Sequence, residues 1–141
     1  MQGRCLCGAV TFMSPEATQI GACHCAYCRR WSGGPMLAVH CGPKVDFSGA
    51  ENIAVYASSE WAERAFCKQC GTHLYYKLLP TGEYFVPAGA FDSNDFKLTS
   101  QIFIDNKPPY YDFANQTPML TEQQVMAQYA SPADGAGSKD A

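Results

Sequence analysis

Seven of the eight cysteines fall in three short clusters: Cys5-Leu6-Cys7, Cys23-His24-Cys25-Ala26-Tyr27-Cys28 and Cys67-Lys68-Gln69-Cys70. No other feature constrains the fold as strongly. A chain of 141 residues has room for one modest core, and metal can supply part of its cross-linking. The opening Met1-Gln2-Gly3-Arg4-Cys5 lacks the apolar region of a signal peptide. Nothing along the chain approaches the ~18 to 20 apolar residues that cross a bilayer. The expected location is therefore cytoplasmic, without membrane association. Thiols stay reduced there, so clustered cysteines point to metal ligation instead of disulfides.

Each spacing has a geometric meaning. In an extended strand residues i and i+2 share a face, so Cys5-Leu6-Cys7 is expected to present two sulfurs to one tetrahedral ion. Cys67-Lys68-Gln69-Cys70 reads as a tight knuckle, with Gly71 supplying the positive φ that such turns use. Cys5, Cys7, Cys67 and Cys70 together would form a closed four-thiolate site, the pattern of a structural zinc, closing a loop of about sixty residues. Cys23, Cys25 and Cys28 offer three thiolates and a vacant fourth position, the pattern of a catalytic zinc. Spacing leaves a second partition open, in which cysteines of the middle cluster join Cys67 and Cys70 in a single structural site and Cys5 and Cys7 are ordinary thiols.

Short β-like runs separated by turn residues fill most of the chain: Ala9 to Phe12, Met36 to His40, Ile53 to Tyr56, Leu74 to Leu78, Tyr84 to Val86 and Ile102 to Ile104. A helical turn is expected at Ala26 to Trp31, and a C-terminal helix from Thr121, where Gln124 completes a capping box. Residues 1–130 are expected to form one mostly-β zinc-binding domain. Residues 131–141, Ser-Pro-Ala-Asp-Gly-Ala-Gly-Ser-Lys-Asp-Ala, have nothing to bury and read as a disordered tail. Ten Lys and Arg against thirteen Asp and Glu, with no run of like charge, argue against a nucleic-acid partner.

Four blocks carry a family resemblance: Gly3-Arg4-Cys5-Leu6-Cys7-Gly8-Ala9-Val10, the stretch from Cys23 to Gly34, Tyr56-Ala57-Ser58-Ser59-Glu60, and Arg64-Ala65-Phe66-Cys67-Lys68-Gln69-Cys70-Gly71-Thr72. Their residues and order resemble the family of the glutathione-dependent formaldehyde-activating enzyme and centromere protein V. The resemblance implies a β-tent fold of antiparallel sheets, related to small zinc-containing Rab-exchange-factor domains. It implies two zinc ions per chain, with Cys5, Cys7, Cys67 and Cys70 on the structural ion and Cys23, Cys25 and Cys28 on the catalytic one. It also implies a carbon–sulfur lyase reaction of the S-(hydroxymethyl)glutathione synthase type, with glutathione or another small thiol and a small aldehyde as partners. This chain is shorter than the founding enzyme and has compact loops between its blocks. Its C-terminal stretch is nearly neutral, unlike the basic tails of the chromatin-associated animal relatives.

Three thiolates leave a bound Zn²⁺ with a net charge of about −1, which favours capture of a substrate thiol over activation of a carbonyl. Arg29 and Arg30, directly after the third ligand, are candidates for holding substrate carboxylates, and Ser32 and Gly33 for a loop beside the metal. Solvated arginines and an ordinary turn explain these four equally well. His24 is expected to be a packing or surface residue, His40 and His73 structural, and Cys41 a small buried hydrophobe. Ser58, Ser59 and Glu60 read as a turn, and Phe85, Phe91, Phe103, Tyr110 and Tyr111 as mostly core with one or two lining a pocket. The rival functions are a non-catalytic zinc module for a protein partner, which needs only the four-cysteine site, and a related enzyme acting on another small electrophile.

Overall fold

A computed structural model describes residues 1–129. The strands are β1 (Gln2–Arg4), β2 (Thr11–Met13), β3 (Gln19–Cys23), β4 (Met36–Gly42), β5 (Asp46–Ser48), β6 (Ile53–Ala57), β7 (Ala62–Cys67), β8 (His73–Leu78), β9 (Glu83–Pro87), β10 (Lys97–Ile102) and β11 (Met119–Leu120). The helices are α1 (Ala26–Ser32) and α2 (Glu122–Tyr129). The protein is mostly β, and neither helix is long and apolar enough to cross a membrane. The tail expected from Ser131 lies outside the described residues.

An eight-stranded sheet runs in the order β11-β10-β3-β4-β9-β8-β7-β6, and a second sheet in the order β1-β2-β5. The large sheet departs from the all-antiparallel expectation, because β10 pairs in parallel with both β3 and β11. The reason is the connection after β9, which carries the chain past β4 and β3 so that β10 arrives in the direction of β3.

Strand alternation buries both faces of the large sheet. From β4 and β9, Val39, Cys41 and Val86 enter one core with Val10, Phe12 and Phe91, under the three-stranded sheet. Met36 and, from β8, Tyr76 and Leu78 enter a second core with Phe103 and Val125 of α2. Cys5 and Cys67 belong to the first core and Cys23, Cys25 and Cys28 to the second. The two cysteine groups therefore lie in separate cores.

Three local expectations are corrected. Cys5-Leu6-Cys7 is not extended: β1 ends at Arg4, and a turn closed by the Gly8 amide on the Cys5 carbonyl at 3.1 Å brings the sulfurs together. The run expected at Ile102 to Ile104 stops at Ile102, because Phe103 takes a left-handed conformation (φ 55°) that opens a short 3-10 turn over Ile104–Asn106. Such a backbone is uncommon for a bulky residue, and burial of the ring at 1 % exposure holds it there. Tyr110 is on the surface, 74 % exposed, whereas Phe91 and Phe103 are core and Phe85 and Tyr111 are partly buried. The Thr121–Gln124 capping box forms as expected: the Gln124 amide donates to Thr121 Oγ1 at 3.2 Å, and the Thr121 amide donates to Gln124 Oε1 at 2.8 Å.

Candidate active site

The four-cysteine group is assembled by two turns. The knuckle after β7 is closed by the Gly71 amide on the Cys67 carbonyl at 2.8 Å, with Gly71 at φ 79°, a conformation that suits a residue without Cβ. Cys5 Sγ lies 3.6 Å from Cys7 Sγ, and Cys7 Sγ 3.8 Å from Cys67 Sγ. The sulfurs of Cys5, Cys7, Cys67 and Cys70 all fall within 4.8 Å of one another. Main-chain amides point at them, Val10 N to Cys5 Sγ and Gln69 N to Cys67 Sγ, each at 3.3 Å. Such N–H groups stabilise thiolates. The Thr72 hydroxyl and amide draw the Cys70 thiol down to about 5. Burial opposes ionisation of Cys5, but the Val10 amide and the neighbouring thiols outweigh it and lower its pKa.

The three-cysteine group sits where β3 gives way to α1. Cys25 is itself the N-cap of the helix: its backbone is extended and its sulfur accepts the Cys28 amide at 3.3 Å, the role a Ser or Asp oxygen usually plays. One turn on, Cys28 faces inward, so Cys23, Cys25 and Cys28 bring three buried sulfurs within 4.8 Å of one another. Hydrogen bonds from the Cys23 and Cys28 thiols, with the Cys28 amide and the charge of Arg64, hold the Cys25 thiol down to about 3 against its burial. Cys23 is pushed well up by its bonds to Cys25 and Cys28 and by burial. One thiolate forms easily, and a second is resisted by the first. A cation that removes this repulsion suits the donor set. Both groups can hold metal ions, and all eight cysteines are free thiols.

Arg64, on β7, is 1 % exposed, with its guanidinium nitrogens 3.7 and 3.8 Å from Cys28 Sγ and its charge 4.9 Å above the Tyr76 ring. A cation this deep needs a buried anion beside it, and the cysteine cluster is that anion. No local motif marks Arg64 as part of the site. Its signal was the alternation of β7, which puts Arg64 on the inward face with Ala62.

His24 is fully buried and holds the loop between two of the cysteines. Gln101 Nε2 donates to Thr117 Oγ1 at 3.2 Å, so its Oε1 faces His24 Nε2 and accepts a hydrogen bond from the Nε2–H at 2.9 Å. Nδ1 then accepts from the Tyr111 hydroxyl at 2.7 Å. The ring is neutral in this arrangement, and burial lowers its pKa in keeping with it. His73 stacks on Trp31 with ring centroids 4.9 Å apart, and His40 bonds Glu83 at 2.9 Å. Cys41 is buried, and burial pushes its thiol up to about 11. Ser58 and Ser59 close the β6–β7 turn, their hydroxyls bonding the Ala62 carbonyl and the Trp61 amide.

A cavity of about 280 Å³ opens onto Cys23 and Cys28, walled by Met36, Ala38, Leu78, Phe85, Ile102 and Tyr129. The four residues considered for substrate contact lie elsewhere. Arg29 donates from Nε to the His24 carbonyl at 2.9 Å. Arg30 lines a different cavity of about 350 Å³ with Tyr27, Tyr56 and Arg64. Ser32 caps the end of α1 through the Cys28 carbonyl at 2.7 Å, and Gly33 is its left-handed C-cap at φ 83°.

The fold resembles that of a solved Rhodobacter sphaeroides protein, with a TM-score of 0.58 and 24 % identity over 70 % of this chain and all of the other. An uncharacterized lyase of Schizosaccharomyces pombe is 41 % identical over 128 residues, 89 % of this chain and 93 % of the relative. Residues 1–106, which carry all seven clustered cysteines, match the model of the glutathione-dependent formaldehyde-activating enzyme family. With both cysteine groups and the mostly-β fold, these matches establish that the chain belongs to that family.

Proposed function

We propose that the protein is a zinc-dependent carbon–sulfur lyase that joins a thiol to a small aldehyde and reverses that union. Cys23, Cys25 and Cys28 would hold the reactive zinc, and Cys5, Cys7, Cys67 and Cys70 a structural one. The observation that carries the reading is the contrast between the two groups. Four sulfurs close one site, whereas three sulfurs leave one coordination position of a tetrahedral ion to be filled, and the cavity that reaches Cys23 and Cys28 supplies access to it. Thiolates at ~2.3 Å from a tetrahedral zinc stand ~3.8 Å apart, which matches the sulfur separations of 3.6 and 3.8 Å in the four-cysteine group.

Zinc at the second site would supply a position at which a substrate thiol gives up its proton and is presented as thiolate. The chain's residues set the conditions. Arg64 would offset the single negative charge that three thiolates leave on a divalent ion, so that the centre is neutral before the substrate thiolate adds its own charge. The Cys28 amide steadies Cys25, and the Gln101–His24–Tyr111 chain fixes the loop that carries Cys23 and Cys25. Met36, Leu78 and Phe85 present apolar surface to the cavity. In the addition, the thiol sulfur bonds to the aldehyde carbon, the carbonyl π pair moves to oxygen, and the proton released by the thiol ends on that oxygen. The eight free thiols fit a reducing, cytoplasmic setting.

Formaldehyde exchange followed by NMR in the presence of a thiol tests the reaction. Acceleration by the wild type and its loss in Cys25→Ser, with the fold retained, support it. Equal rates in the two proteins contradict it.

A further inference from the structure

The cavity beside Cys23 and Cys28 has a chemical character that the family name does not lead one to expect. It holds about 280 Å³, just under the ~300 to 1,000 Å³ of pockets that enclose drug-sized ligands. Its walls include Met36, Ala38, Leu78, Phe85, Ile102 and the ring of Tyr129, and among the described residues no Lys, Arg, Asp or Glu lines it. Its imidazole, His40, stacks on Phe85 with centroids 4.4 Å apart and bonds the Glu83 carboxylate at 2.9 Å. That carboxylate also lies near Tyr129, whose phenol is pushed up by burial and by Glu83. A substrate entering here meets apolar surface, a few hydroxyls and a nearby negative charge.

The arginines nearest the cysteines do not alter this. Arg29 is bonded to the His24 carbonyl, Arg64 is turned onto Cys28, and Arg30 lines the separate cavity on the Tyr27 side of α1. A carboxylate buried without a cation carries a large desolvation cost. Glutathione has two carboxylates and an ammonium group, and nothing on these walls pairs with them.

We propose that this cavity seats the body of the substrate thiol, and that the thiol is small, uncharged and mainly apolar instead of an anionic tripeptide. The inference rests on the proposed reaction only in taking the three-cysteine centre as the place where sulfur binds. Apolar area removed from water drives the binding.

The test compares 1-butanethiol with glutathione on the zinc-loaded full chain, by methyl NMR with the Ala38, Leu78 and Ile102 signals assigned. Butanethiol is expected to shift those methyls and to bind at least ~10-fold more tightly than glutathione, since only the latter must desolvate unpaired charges. In Ala38→Lys a cation enters the cavity, and the preference is expected to narrow or reverse; if that variant does not fold, the wild-type comparison decides alone. Glutathione binding as tightly as butanethiol overturns the inference, as do butanethiol shifts at Tyr27 and Tyr56 in place of the cavity methyls. Binding of butanethiol in the cavity without consumption of formaldehyde by any thiol supports the inference and refutes the proposed reaction.

Discussion

Replacing Arg64 by Met keeps an unbranched stem of about the length of the arginine's aliphatic part and removes the charged guanidinium. In the zinc-loaded protein three thiolates and one divalent ion sum to −1, and Arg64 brings the buried site to zero. At 3.7 Å from Cys28 Sγ, a full charge pair at an effective dielectric near 20 attracts by roughly 4 kcal/mol. The thiolate charge is shared with the metal and the other sulfurs, so about half of that is expected to be lost, ~2 kcal/mol. At ~1.4 kcal/mol per decade this weakens the second zinc roughly 30-fold. Competition against a chromogenic chelator reads it directly, because the tighter four-cysteine site serves as an internal reference. Arg64→Lys, which keeps the charge but lacks the planar fork, should fall within about fivefold of wild type. Equal zinc retention in wild type and Arg64→Met would refute the electrostatic argument. A Lys variant as weak as the Met variant would show that packing against Tyr76, not charge, is what Arg64 contributes.

Three other changes have expected outcomes. Cys67→Ser should lose the structural zinc and release a loop whose ends are 60 residues apart, a loss of about 4 kcal/mol if metal closure acts as a covalent cross-link does, so circular dichroism should show an unfolded or nearly unfolded chain at room temperature. His24→Leu removes the bonds to Gln101 and Tyr111 from a buried loop; a loss of ~2 kcal/mol in chemical denaturation and ~10-fold weaker retention of the second zinc are expected, and unchanged retention would remove His24 from the account of the site. Thr121→Ala deletes one half of the capping box and should cost ~1 kcal/mol with no effect on either metal.

Chemistry encoded in neighbouring residues was legible in the sequence. Cys67 to Gly71 forms a knuckle because its closure is local, α1 starts at Ala26 because Cys25 caps it, and Thr121 and Gln124 find each other across one turn. Chemistry assembled across the chain was less so. Cys5-Leu6-Cys7 reads equally as strand or turn; the Gly8 amide decides, together with the pull of Thr72, whose hydroxyl accepts the Leu6 amide at 3.0 Å. The left-handed Phe103 has no local signal, because its backbone is held by burial against elements far away in sequence. Arg64, Gln101 and Tyr111 acquire their roles only when β7, β10 and the segment after Asn106 meet the cysteine loop. For Arg29 and Arg30, adjacency to Cys28 left substrate contact and a solvated surface equally open; the turn of α1 carries one to a main-chain carbonyl and the other to a cavity separate from the one at Cys23.

Elemental analysis of reduced protein purified without added metal or chelator distinguishes two metal sites of different kinds from one. Two zinc ions per chain are expected in the wild type and one in Cys25→Ser, whose fold is kept by the four-cysteine site. One zinc in both proteins would contradict this, leaving Cys23, Cys25 and Cys28 as a thiol cluster without metal.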